Sequence, residues 1–282
     1  MDRYPTVRRE GDKGLAVGLA VVALVLAFIL AAPLILPFDP EAMSPEFILA
    51  PPSLEHWGGT DNLGRDILIR TLMGARSTLT LALASTLVGV GLGALIGMIA
   101  GYRRGLMDKL SMRLADAVMA LPSLVLAMLA LVVFGNGPVA VLGSIAIVFV
   151  PRAARIMRSV VLDLATRDFV VAASIVGESQ ASILLREILP NMWPNLLVEA
   201  CLRFSYAILL ISSLGYLGIG VQPPTPDWGL MIADSSAYIT TAPWMVVWPA
   251  AGIVASVVTV NLIGDRLQER FAAWRRGRMS HV

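Results

Sequence analysis

The sequence predicts an all-α polytopic membrane protein, and two observations carry that prediction. The first is a set of long uncharged stretches in a chain of 282 residues that is 57% hydrophobic and only 15% charged, with mean hydropathy +0.75. A soluble domain carries about a quarter charged residues, and runs of ~20 apolar residues match a bilayer. The second is the clustering of basic residues in the segments between those stretches, which sets an orientation.

The elements follow in chain order. Residues 14–36 form span one, and residues 77–102, also uncharged, form span two. Residues 117–151 carry no charge, but "GNGP" at 135–138 divides them into span three (112–134) and span four (138–153) joined by a tight turn. Span five is placed at 195–220 and span six at 244–264. Six spans put both termini on one side. That side carries 18 of the 22 Lys and Arg residues, among them Arg3, Arg103, Arg158 and Arg276, so it is cytoplasmic by the positive-inside rule. The first apolar run is too long for a signal-peptide core, and it is expected to be retained. The expected division is 1–76 (tail, span one, external loop), 77–270 (five-span core) and 271–282 (basic tail).

Of the external segments, 37–76 is rich in proline and acids and reads as an ordered flap or an exposed linker. Asp61 or Asn62 is placed to cap a surface helix with Ile67, Leu68 and Leu72 on its apolar face, ahead of span two. The other external loop, 220–244, lacks Lys and Arg; its Trp228, Tyr238 and Trp244 are expected to anchor at the headgroups. Intramembrane charges are few. Asp116 falls one turn inside span three. Glu199 and Arg203 stand four apart in span five, in the favourable order for a helical ion pair, and self-neutralisation is favoured over a place in a pathway. Glycines at 89, 91, 93 and 97 predict a packed helix interface on span two, read as contact with another subunit. No metal site is expected: His56 and His281 are far apart, and Cys201 is alone in an apolar run. Nucleic-acid binding is disfavoured because the bases are dispersed between spans.

Between spans four and five lies "RDFVVAASIVGESQASILLREILPN", residues 167–191. Asp168 is placed to cap a helix, Ala172 and Ala173 keep its surface shallow, Gly177 permits a sharp redirection, and a second amphipathic stretch stops at Pro190. This passage resembles the cytoplasmic loop of bacterial ABC importer permeases, with Ala172, Ala173, Gly177, Leu189 and Pro190 matching that loop's pattern. Val171 stands where the family commonly has glutamate. The resemblance implies a coupling helix docking on an ATPase, with Asp168 and Glu178 in the same segment. "GTDNLGRDILIRTLMGARSTL" (59–79), "YLGIGVQPPTPDWGLMIADSSAYI" (216–239) and "NLIGDRLQER" (261–270) are similar to the second, C-type, permease of dipeptide, oligopeptide and nickel importers.

What the resemblance implies is a non-catalytic permease subunit in the bacterial inner membrane. Its partners would be a second homologous permease, two ATPase subunits and an external substrate-binding protein. This chain would bind no cofactor, and ATP with Mg would be held by the ATPases. Consistent with that, the sequence has no G-x-x-x-x-G-K-[ST] loop. Peptide is the expected cargo, with nickel or another small solute as the alternative. An ion-driven secondary transporter and a membrane scaffold are the rival classes, the former disfavoured by the scarcity of mid-membrane carboxylates.

Overall fold

The computed structural model describes residue 39 and residues 41–279, with side chains to residue 271. Span one, the N-terminal bases, His281 and the side chains of Arg275, Arg276 and Arg278 lie outside the described residues. Within them the chain is helical, with no strand beyond one isolated antiparallel bridge, Thr60 to Asp66.

Helix α1 spans Ile67–Arg103 without interruption. Its cap is Asp66, whose side chain accepts from the Ile69 N–H at 3.0 Å. The separate surface helix capped by Asp61 or Asn62 is therefore not found. Nothing in 67–77 breaks a helix, so the apolar face at Ile67 joins span two, and the helix crosses the expected 76/77 boundary. At 37 residues it is about 55 Å long, well beyond the ~30 Å hydrocarbon core. Residues 41–66 form an ordered flap over its start. Asp61, 2% exposed, organises that flap by accepting from the Leu63 and Arg65 N–H groups and pairing with the Arg65 guanidinium at 2.6 Å.

Span three is not one straight helix. Helices α2 (Gly105–Met119) and α3 (Ser123–Phe134) meet at 96°. Pro122 sits at the N-cap of α3, and a residue preceding proline is driven out of the helical region. Asp116 is accordingly not inside a vertical span; it is half-exposed on α2 and paired with Arg155. The turn after α3 uses Gly135 (φ +82°) and Gly137 (φ +139°), and α4 runs from Pro138 to Leu164, eleven residues past the expected end.

Helices α1 and α4 form the most extensive interface. Gly89, Gly93, Gly97 and Gly101 lie on one line of α1 against Ala146, Phe149, Val150, Ala153, Ala154, Arg158 and Val161 of α4. A Cβ on Gly93 would stand 2.6 Å from the Val150 carbonyl oxygen, so the two backbones approach as closely as glycine allows. The expected interface is thus internal to the chain. Gly91 is not part of it and faces open space.

The short helix α5 (Asp168–Ile175) leads into α6, one helix over Gln180–Tyr216. Pro190 does not end it. Residues Ile183–Ile188 are π-helical, with the Leu189 N–H bonded to the Leu184 carbonyl, and this shift absorbs a proline that has no N–H to give. Helices α7 (Trp228–Ser235) and α8 (Trp244–Met279) complete the chain. The main core gathers Phe149, Ile208, Leu214, Trp228 and Met245; a second, at the other end, gathers Met98, Met157, Val170, Ile183 and Met192. Helices α1, α4, α6 and α8 are long and apolar enough to cross a membrane, and the bent pair α2–α3 passes only when its halves are taken together.

Candidate functional site

At the end of the second core, α5 projects as a closed knob. Its amino end begins at Asp168, with Arg167 rather than Asp168 in the cap position and no side-chain cap bond. Asp168 instead occupies the first turn, where a carboxylate suits the positive end of the helix. The other end is closed by a pair of backbone bonds, Gly177 N–H to Ser174 O at 3.2 Å and Glu178 N–H to Ala173 O at 3.1 Å. That is the Schellman pattern, which needs a left-handed residue, and Gly177 has φ +85°. The next helix starts at once. Ser179 caps it through the Ser182 N–H, and the Ser182 hydroxyl donates to Glu178 at 2.7 Å. Arg103 at the end of α1 donates to Gln180, tying this turn to the longest helix.

One face of α5 is fixed and the other is open. Val170 is 2% exposed, and Ala173 and Leu189 pack on the second core. Ala172 and Pro190 are exposed, as are Phe169 and Val171, and Ile175 and Val176 stand 80% and 83% exposed. The two alanines therefore part company: Ala172 looks outward, whereas Ala173 serves the chain's own packing.

Glu199 and Arg203 form the expected pair, Nε to Oε1 at 2.5 Å, with the guanidinium 6.0 Å from the Phe149 ring centre. Glu199 is only 4% exposed. It lines a groove of about 460 Å³ between α4, α6 and α8, together with Val160, Asn195 and Gln268.

The opposite end holds residues that sequence reasoning missed. Asp227 is fully buried; it caps α7 by accepting from Gly229 and Leu230 N–H, and its other oxygen accepts from the Thr78 hydroxyl at 2.9 Å. Burial pushes its carboxyl above the usual range, against those three bonds. Asp234 is likewise pushed up by burial, with Arg65 and Arg70 acting the other way. Trp228 is a core residue and not a headgroup anchor: it is 1% exposed and donates to the Thr71 carbonyl at 2.8 Å. Trp244 donates to the Thr60 carbonyl and pins the flap. The signal was present in "PDWG", an Asp at cap spacing before an apolar turn.

Comparison with known proteins gives the class. The family described as "Binding-protein-dependent transport system inner membrane component" matches residues 93–277, and this chain belongs to it. It is a multi-pass inner-membrane permease subunit of an ABC transport system. The di/tripeptide transport system permease protein DppC of Pseudomonas aeruginosa is 40% identical over 92% of this chain and 87% of its own length. The dipeptide permease DppC of Alkalihalophilus pseudofirmus is 38% identical over 90% and 83%. The glutathione permease GsiD of Escherichia coli O1:K1 is 38% identical over 77% and 72%. Among solved structures, an inward-facing MetNI methionine ABC transporter shares the fold with TM-score 0.58 at 18% identity, covering 70% of this chain and 94% of that one.

Proposed function

We propose that this chain is one of two permeases in an ATP-driven importer of short peptides, and that α5 with its closing turn is the contact on which a separate ATPase docks. The observation that carries the reading is the two-faced α5: locked to its own chain through Val170 and Ala173, open and apolar at Phe169, Ala172, Ile175 and Val176. A helix so held transmits displacement to α1, α4 and α6 rather than absorbing it. The same reading puts α5 and both termini in the cytoplasm, with six spans counting residues 14–36 and the bent pair. ATP and Mg belong to the ATPase pair, and an external binding protein delivers the cargo. Peptide is favoured over nickel because relatives at 38–40% identity carry di- and tripeptide names.

The test uses matched glycines. Gly177 (φ +85°) and Gly137 (φ +139°, ψ 166°) both have positive φ and nothing within 4 Å of a built Cβ, so valine strains both backbones without a clash, Gly137 the more because its conformation is essentially restricted to glycine. Gly177→Val is expected to leave the complex in the membrane but loosen ATPase co-purification or separate ATP hydrolysis from uptake. Gly137→Val, at the far turn, is expected to leave ATPase attachment intact. Normal attachment, hydrolysis and peptide uptake in Gly177→Val would overturn the docking role. Uptake that survives ATP depletion but stops when the ion gradient collapses would overturn the importer class.

A further inference from the structure

Helix α2 sorts its charges by face. Both acids turn toward α4: Asp108, 7% exposed, is paired with Arg158 through both carboxylate oxygens, and Asp116 is paired with Arg155. Its two bases, Lys109 and Arg113, are exposed one turn apart and make no ion pair among the described residues. Beside that basic edge runs an open apolar stripe, Leu106, Leu110 and Leu114 at 72%, 60% and 68% exposure, widened by Met107.

The depth of α2 is set by its partners. Arg155 and Arg158 lie 17 and 20 residues along α4 from Pro138, about 25 and 30 Å below the turn between α3 and α4. That drop equals the thickness of the hydrocarbon core. Helix α2 is tied there and lies at 96° to α3, so with α3 and the link at 120–122 as the rising arm of the bent span, α2 runs across that arm at the level of Arg155 and Arg158.

We propose that α2 is an interfacial helix whose Lys109–Arg113 edge binds the phosphates of anionic phospholipids while Leu106, Leu110 and Leu114 enter the acyl region. An apolar stripe flanked by lysine and arginine, lying in the membrane plane, is the chemistry that recognises an anionic lipid surface. Because both acids are paired with arginines of α4, they add no uncompensated negative charge beside that edge. The two ion pairs to α4 also make the lipid contact mechanical, since α4 packs along the glycine line of α1 and leads directly into α5.

The experiment uses the whole importer complex in lipid nanodiscs. A nitroxide at Leu110→Cys, with Cys201→Ala to leave one thiol in this chain and the partner subunits made cysteine-free, is expected to be reached by oxygen in preference to a water-soluble nickel chelate. Retention of phosphatidylglycerol over phosphatidylcholine is read by native mass spectrometry, and Lys109→Gln with Arg113→Gln is expected to lower that preference roughly tenfold. Lys109→Arg with Arg113→Lys is expected to keep it. A label shielded from both reagents would show that a protein partner covers the stripe, and a label reached mainly by the chelate would show an aqueous face. Either result, or an unchanged lipid preference in the glutamine variant, overturns the proposal. These readouts involve no transport, so their failure is distinct from failure of the importer reading.

Discussion

Helices α1 and α8 are almost equally apolar, yet half of the apolar window of α1 is buried within the chain against 6% for α8. Hydropathy does not explain the difference, because lipid is as apolar as leucine and gives helices no hydrophobic reason to associate. Small residues in register do. On α1, Gly89, Gly93, Gly97 and Gly101 make a flat line on which α4 lies backbone to backbone. On the apolar part of α8, Gly252 meets the Trp228 ring and Gly264 meets Cys201, two isolated notches that dock single side chains. Val247, Val254, Val258 and Leu262 of α8 stay open, 50–60% exposed. One apolar helix is an internal beam; the other presents a face to whatever lies beyond the described residues.

The largest expected effect lies on α6, which packs on both. Arg203→Ala leaves Glu199 buried without its partner and is expected to cost about 3–5 kcal/mol, measured as detergent-induced unfolding of the subunit. Removing both, Glu199→Ala with Arg203→Ala, is expected to recover most of that loss. A double variant as unstable as the single one would mean that α8 or another chain shares the charge, and the contrast between α1 and α8 would weaken. Next comes Asp227, whose caps join α7 to α1. Asp227→Ala is expected to cost about 1–3 kcal/mol, and Asp227→Asn, which keeps the amide acceptor, much less.

Asp227 also has a pH signature. Its carboxyl lies above the ordinary value of 3.8 in the folded chain, so the native state holds the proton more tightly than the unfolded state. Stability contributed by this group is full below about pH 4 and is lost as pH rises through the folded value. Asp227→Asn is expected to flatten that decline in a series of unfolding curves. An unchanged slope would show that the decline belongs to other groups.

The glycine line gives a sharper pair. Gly97→Ala places a methyl against the Ala154 carbonyl and the Arg158 amide, and overpacking of this kind costs about 1–3 kcal/mol. Gly91→Ala, two turns away on the open side, is expected to be neutral or slightly stabilising in the same assay. Equal effects would remove the register explanation. The smallest effect belongs to α8: Val258→Ala is expected to change the stability of the isolated subunit by no more than about 0.5 kcal/mol while lowering co-purification with a second permease. A loss of stability in the isolated subunit would mean that α8 is more tightly held than its exposure indicates.

The comparison also marks what was legible in advance. Apolar runs and basic clusters are written residue by residue, so the helical membrane class and the approximate positions of α1, α4, α6 and α8 could be read directly. The same holds for the i, i+4 pair of Glu199 and Arg203, because helical spacing alone brings those side chains together. Helix limits were less legible. A proline was read as a stop at Pro190, where a π-helical segment carries the chain through, and was overlooked at Pro122, where it turns the chain by 96°. The effect of a proline depends on whether neighbouring helices hold the freed backbone groups, and that is not a local property.

The sequence by itself determined the solvent: a chain with these uncharged stretches has to bury its backbone polar groups in helices within a bilayer. It also determined that small residues on the second apolar stretch would form a close interface. Only the tertiary structure decided that this interface is internal, with Gly101 in it and Gly91 outside it, and that Ala173 faces its own core while Ala172 faces away. It likewise decided that Trp228 is buried rather than at the headgroups, beside a buried Asp227 that the sequence reading did not single out. The physical reason is the same in each case. Spacing along a helix fixes which residues share a face, but the neighbour that face meets is chosen by helices far away in sequence.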